Sequence, residues 1–322
     1  MTGSFVISLD FELMWGVRDH RSVQDYGDAV LGGRKAIPLI LSRFEQAGIR
    51  ATWATVGLLF ARSRDEMMDY APSKRPMYQN SRLSPYSDIE KLLIGKDEDS
   101  DPLHFGASLI SQIAEKPGQE IATHTYSHFY CIEPGAESDV FKADLDAAVE
   151  IAARGGYKLN SIVFPRNQVT RHCVNIATES GFTAYRGNAK GWLYQSRAGA
   201  GTTKLLRIAR FADGALPVGS KQAVVPSKDG EAFNIPASRF LRPWSEKLGA
   251  YQLLHLNRIR TEMEHAARAG KTYHLWWHPH NFGRNTAKNL AQLDLVIEHF
   301  KFCRDRYGME SRNMYDLATQ GA

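Results

Sequence analysis

The chain has 322 residues, 43% hydrophobic and 23% charged, with 40 basic side chains against 35 acidic ones and a net charge of +5. This is ordinary globular composition: it allows a sizeable core and is too mild in charge for a dedicated nucleic-acid arm. Three scattered cysteines, Cys131, Cys173 and Cys303, argue against a disulfide framework, and none lies in a CxxC zinc pattern.

Length alone allows two domains, but one α/β barrel also reaches this size, and a single domain over 1–322 is expected. The small excess of Lys and Arg suits a solvated surface. It also suits an acidic glycan, a nucleotide-linked sugar or an anionic membrane face. The N-terminal MTGSFVISLDFELMW has neither a basic leader nor a long apolar stretch, so a cytoplasmic protein without a secretory signal is expected. No uninterrupted apolar run reaches membrane-spanning length.

Residues 4–9, SFVISL, read as a buried strand ending at Asp10. Helical spacing over 32–47 stops at Gly48, and 49–57 is again β-rich, so the three form a βαβ unit. Residues 62–103 are rich in turn formers and charges and read as an irregular insertion, a lid or a solvated decoration. A helix at 104–115 leads to a strand at 118–124. A helix at 137–154 leads to a strand at 161–165, and one at 171–180 leads to a strand at 182–186. This alternation predicts a parallel sheet. Residues 187–243 are a second irregular stretch without a clear period. A helix at 245–269, a strand at 272–278 and a helix at 285–307 complete the pattern. The expected fold class is α/β, a distorted (β/α) barrel of about seven strands with insertions near 62–103 and 187–243.

Chemistry in such barrels gathers at the C-terminal strand ends. Asp10-Phe11-Glu12 follows the first strand, and His124 and His128 follow the strand at 118–123. Pro165-Arg166-Asn167 and His278-Pro279-His280-Asn281 follow two later strands. Two histidines four apart are by themselves more often structural than metal-binding, but here three further strand ends carry ionisable groups. One carboxylate and two imidazoles suit a catalytic divalent metal with open positions. Either Asp10 or Glu12 can be the ligand, leaving the other as general base and His278 as general acid.

SLDFE, HTYSH, FPRNQ and LWWHPH, in this order, resemble the motifs of the polysaccharide deacetylases, carbohydrate esterase family 4. The resemblance covers residues 4 to 290. It implies a distorted barrel, one divalent metal (zinc first, with cobalt, nickel, iron or manganese as alternatives) and removal of an acetyl group from an N-acetylated sugar. By this likeness Glu12, His124 and His128 hold the metal. Asp10 is the base, His278 the acid, and Arg166 orients the base. The family's first motif has adjacent aspartates, whereas here Phe11 separates Asp10 from Glu12, and the backbone is expected to bend for both to reach one site. The family's arginine precedes the proline of its third motif, but Arg166 follows Pro165. The fourth motif is not located; Asp213 and Arg186 are candidates. Trp277, His280 and Asn281 are expected at the substrate, although core packing is the safer reading of both Trp276 and Trp277. His20, His104, His172, His255, His265, His274 and His299 read as structural. The partner is an acetylated sugar, nucleotide-linked, lipid-linked or oligomeric, with peripheral membrane contact and no nucleic acid. A non-sugar amide substrate and a non-catalytic glycan-binding role are the competing readings.

Overall fold

A computed structural model describes residues 2–201, 203–216 and 221–320; position 1, five positions of the second irregular stretch (202 and 217–220) and 321–322 lie outside the described residues. Ten strands make one sheet: β1 Ser4–Phe11, β2 Ala51–Thr55, β3 Gln119–Thr123, β4 Ser161–Ile162, β5 Ala184–Tyr185, β6 Ser227–Asp229, β7 Ala232–Asn234, β8 Arg239–Phe240, β9 Thr272–Trp277 and β10 Glu310–Ser311. Their order is β6-β7-β5-β4-β3-β2-β1-β9-β8, with β10 beside β1, and every pair is parallel except β6 with β7. The sheet curls into a distorted barrel, as expected.

β1 is buried along its whole length. Its odd residues Phe5, Ile7, Leu9 and Phe11 belong to the large core that the sheet shares with Ile37, Ile40 and Phe44 of the helix Val23–Ala47. The even residue Val6 joins Ala54, Ala184 and Phe233 in a smaller cluster inside the barrel, with Met314 and Ala318 of the helix Met314–Gln320. A strand buried on both faces reads as a continuous apolar run, which is why SFVISL carries no alternation. The interior below the site is held by Glu120, which accepts from the Thr52 hydroxyl at 2.7 Å and from the amide of Tyr315 at 3.1 Å.

The second irregular stretch is more ordered than expected. It contains the helix Lys204–Asp213 and the strands β6, β7 and β8. One continuous segment of it closes the barrel. β7 pairs with β5. The amides of Ile235 and Ala237 then donate to Tyr185 and Gly187 at 2.9 and 2.8 Å. From Ser238 the partner changes: its amide donates to His274 at 2.7 Å and β8 pairs with β9. The first insertion, by contrast, holds only short helical turns, including Arg64–Asp69 and Tyr86–Glu90. Among the described residues, no helix is long and apolar enough to cross a membrane.

Candidate metal centre

The centre is built on the alternation of β1. Residues two apart share one face of a strand, so Ser8, Asp10 and Glu12 all point into the barrel. The expected bend is not needed: β1 stays extended through Phe11, and the chain turns only at Leu13, with φ 45°. Asp10 and Glu12 are both buried. Gly16 makes room for the second carboxylate, because a Cβ there would lie 1.9 Å from the carboxyl carbon of Glu12.

His124 and His128 come from the loop after β3. Thr125 and His128 both have left-handed backbones, with φ 65° and 58°. Non-glycine residues resist that region, so the loop must be held from outside. Thr125 Oγ1 accepts from the Phe129 amide at 2.6 Å. Asp144, buried on the helix Ser138–Arg154, accepts from the amides of Tyr126 at 2.7 Å and Ser127 at 3.2 Å, and from the Ser127 hydroxyl. Burial pushes the Asp144 carboxyl up to about 7, against the pull of those hydrogen bonds.

The result is a converging donor set. His124 Nδ1 is 2.7 Å from the carbonyl of Val163, which can only accept, so Nδ1 carries the proton and the Nε2 lone pair is free. His124 Nε2 and His128 Nε2 lie 3.4 and 3.1 Å from the same oxygen, Glu12 Oε2. Ligands about 2.1 Å from a tetrahedral ion stand roughly 3.4 Å apart, so these spacings fit one divalent cation. Burial opposes the charge of Glu12, but the charge of His278 and the adjoining His124 and His128 rings more than offset it and hold the carboxyl well below its usual range. Three buried groups, Glu12, His124 and His128, are thus able to hold a metal.

Asp10 is held differently. Arg186 grips it with both arms, Nη1 to Oδ1 at 2.6 Å and Nη2 to Oδ2 at 2.8 Å. The same guanidinium donates to Ser8 Oγ at 3.0 Å and to Asn167 Oδ1 at 2.9 Å. Ser8 Oγ lies 2.8 Å from His274 Nε2. Burial lowers the His274 pKa to about 3, so its ring is neutral, and Nε2 accepts the serine proton while Nδ1 faces the carbonyl of Ile235. Burial acts to raise the Asp10 pKa, but Arg186 outweighs it, and the carboxyl is lowered.

Arg166 is not the partner of Asp10. Its φ of 53° turns it away from the barrel axis, where Asp19 takes its guanidinium, with Glu133 at 3.9 Å and the Tyr130 ring beneath it at 4.4 Å. Of the two candidates for the unlocated motif, Arg186 therefore meets the carboxylate, while Asp213 pairs with Arg239 at 3.3 Å.

His278 Nε2 faces both carboxylates, 3.5 Å from Glu12 Oε1 and 3.8 Å from Asp10 Oδ2. Its other nitrogen is 3.3 Å from Asn281 Nδ2. Along β9 the alternation puts His274, Trp276 and His278 on the inner face and Tyr273, Leu275 and Trp277 on the outer. Trp277, expected at the substrate, is instead wholly buried in the outer core, stacked on Phe282. Trp276 takes the inner position, its ring 4.3 Å from the Arg186 guanidinium. His280 is also buried, stacked on His278 and edge-on to Tyr26. A cavity of about 670 Å³ opens beside His278, bounded by Trp276, Phe240 and Asn167 and not by Trp277, His280 or Asn281.

No protein-family model matches the sequence, and no curated protein is similar to it. Solved structures are similar. A protein described as a polysaccharide deacetylase from Mycobacterium smegmatis superposes with a TM-score of 0.59 at 14% identity, covering 99% of this chain and 91% of its own. One so described from Pseudomonas aeruginosa PAO1 gives 0.56 at 11% identity, covering 98% and 89%.

The fold is that of the polysaccharide deacetylases.

That deacetylase fold is not tied to one reaction. The Puue allantoinase superposes with a TM-score of 0.55 at 10% identity over 98% of this chain and 88% of its own.

Sequence reading gave no role to several residues that support this centre. Ser8 and Asn167 tie Arg186 in place, and His274, read as structural, holds Ser8. Asp144 had one available signal: it is an acid on the apolar face of its helix, between Phe141, Leu145 and Ala148.

Proposed function

We propose that the protein is a metal-dependent N-deacetylase acting on an acetylated sugar during assembly of a surface polysaccharide of the O-antigen kind, in the cytoplasm. The observation that carries this reading is the separation of duties between two neighbouring carboxylates. Glu12 sits with two imidazoles, whereas Asp10 is locked to an arginine and kept off that set. Fold similarity to polysaccharide deacetylases supports the substrate class.

Glu12, His124 and His128 would hold a divalent ion, zinc being the best match to two imidazoles and a carboxylate, and such an ion would polarise the acetyl carbonyl and lower the pKa of water. Asp10, kept ionised by Arg186, accepts the proton of the attacking water. His278, facing the same space from β9, donates a proton to the departing amine. The half-exposed edge of Trp276 gives the sugar ring an apolar wall.

The test combines metal content with acetate release. His124→Ala and Glu12→Gln are expected to lose bound metal and turnover together. Asp10→Asn keeps its metal and loses about 100-fold or more in turnover. Full acetate release by chelator-stripped protein would overturn the assignment. The likeness to an allantoinase supports a second reading, hydrolysis of a non-sugar amide. Metal-dependent turnover of a ureide with none of acetylated sugars would select it.

A further inference from the structure

The cavity beside His278 is walled mainly by the segment between Asn188 and Arg242, and the wall is cationic. Six arginines line it: Arg166, Arg197, Arg207, Arg210, Arg239 and Arg242. Among the described residues, no aspartate or glutamate does. Two of the six are neutralised from behind, Arg166 by Asp19 and Arg239 by Glu262 at 2.9 Å and Asp213. The other four pair with no carboxylate among the described residues. Three are aimed by backbone carbonyls, which orient a guanidinium without cancelling its charge. Arg197 Nη2 donates to Trp192 at 3.0 Å, Arg210 Nε to Leu193 at 2.6 Å and Arg242 Nη2 to Arg210 at 3.4 Å. Arg242 also lies 4.9 Å above the Phe211 ring. Arg207 stands one turn before Arg210 on the helix Lys204–Asp213, on the same side. Burial and the neighbouring Arg197 press the Arg210 pKa below its usual value, so the like charges are felt.

Four uncompensated guanidinium groups around one cavity repel one another until an anion joins them. A single carboxylate would leave three of the four charges unanswered. Phosphoryl oxygens accept the paired N–H groups of several arginines at once. We propose that this cavity holds a phosphate or diphosphate attached to the acetylated sugar, so that the substrate is a phosphate-linked sugar rather than a neutral polysaccharide chain. The sugar part rests on the proposed deacetylase activity; the phosphate part does not.

Binding separates the two. Isothermal titration with pyrophosphate and with uridine diphosphate is made on the wild type, Arg207→Gln, the double variant Arg207→Gln/Arg210→Gln, and Glu12→Gln. Both ligands are expected to bind the wild type and to weaken about tenfold for each arginine removed. Glu12→Gln is expected to bind them undiminished, placing the anion away from the metal ligands. Arg207 is exposed, so its single variant reports on binding without disturbing the fold. Tighter binding of uridine diphosphate than of pyrophosphate assigns a nucleotide carrier. Equal binding means that only the phosphates are read, as a lipid carrier would present them. Absence of saturable binding, unchanged affinity in the double variant, or loss of binding in Glu12→Gln overturns the proposal. None of these measurements needs turnover, so a failed deacetylase assay leaves their outcome intact.

Discussion

Arg186 and Asp10 form a buried pair whose members depend on each other. Taking away one partner strands the other's charge in the interior, which typically costs about 3–5 kcal/mol. Arg186→Met is therefore expected to lower the urea midpoint sharply. Arg186→Lys keeps the charge but not the two-armed grip, so a smaller loss is expected. Equal midpoints for wild type and Arg186→Met would mean that Asp10 is neutral in the folded protein. Sequence alone put both Arg166 and Arg186 at strand ends. What separates them is backbone conformation, since a φ of 53° at Arg166 sends its side chain to Asp19. Nothing in the residue type announces that, because positive φ at a non-glycine is imposed by the surrounding packing. Trp276 and Trp277 pose a similar problem. Alternation says that they oppose each other, and only the orientation of β9 says which one faces in.

At the scale of elements, the strands that alternate with helices were legible, the two-residue β4 and β5 included, whereas those of the second irregular stretch and β10 were not. β1, β2, β3 and β9 are five to eight residues long, and β1 and β9 carry strong apolar runs. β8 and β10 have two residues each, too few for any period to show. The helix Val23–Ala47 begins nine residues before the expected start, with Ser22 as its N-cap accepting from the Asp25 amide at 3.3 Å. Its glycines hide it from propensity, yet Gly33 has a reason to be there: a Cβ would come within 2.5 Å of the His280 backbone. The loop after β1 works in the same way. Gly16→Ala is expected to push the Glu12 carboxylate out of place and to lower metal content while every ligand remains. Metal affinity is expected to fall at least tenfold, as when a supporting neighbour of a ligand is lost. Undiminished metal content in Gly16→Ala would show that the loop yields instead.

For the whole molecule, pH is the simplest probe. Burial lowers the pKa of His255 to about 4 and those of His274 and His280 to about 3. Unfolded histidines titrate near 6.5, so below that pH the unfolded chain binds these protons and the folded one does not. Stability is thus fully present above about 6.5 and is lost as the pH falls toward 4. Asp144 and Glu120, whose carboxyls burial raises, act in the opposite sense over part of this range. The lowered histidines outnumber the raised carboxyls, so the net stability falls as the pH drops. Urea midpoints are expected to be lower at pH 5 than at pH 7. A flat profile would mean that the three rings are protonated in the folded state.

The segment that leaves β5 at Ala237 and joins β9 from Ser238 belongs both to the barrel's seam and to the arginine-lined wall. A loop that only touches substrate can be exchanged for another like an interchangeable tool. This one cannot be grafted out without unzipping the barrel along its closing edge. A new specificity on this scaffold is therefore reached by point substitution at the arginines, with the run of chain that carries them kept whole.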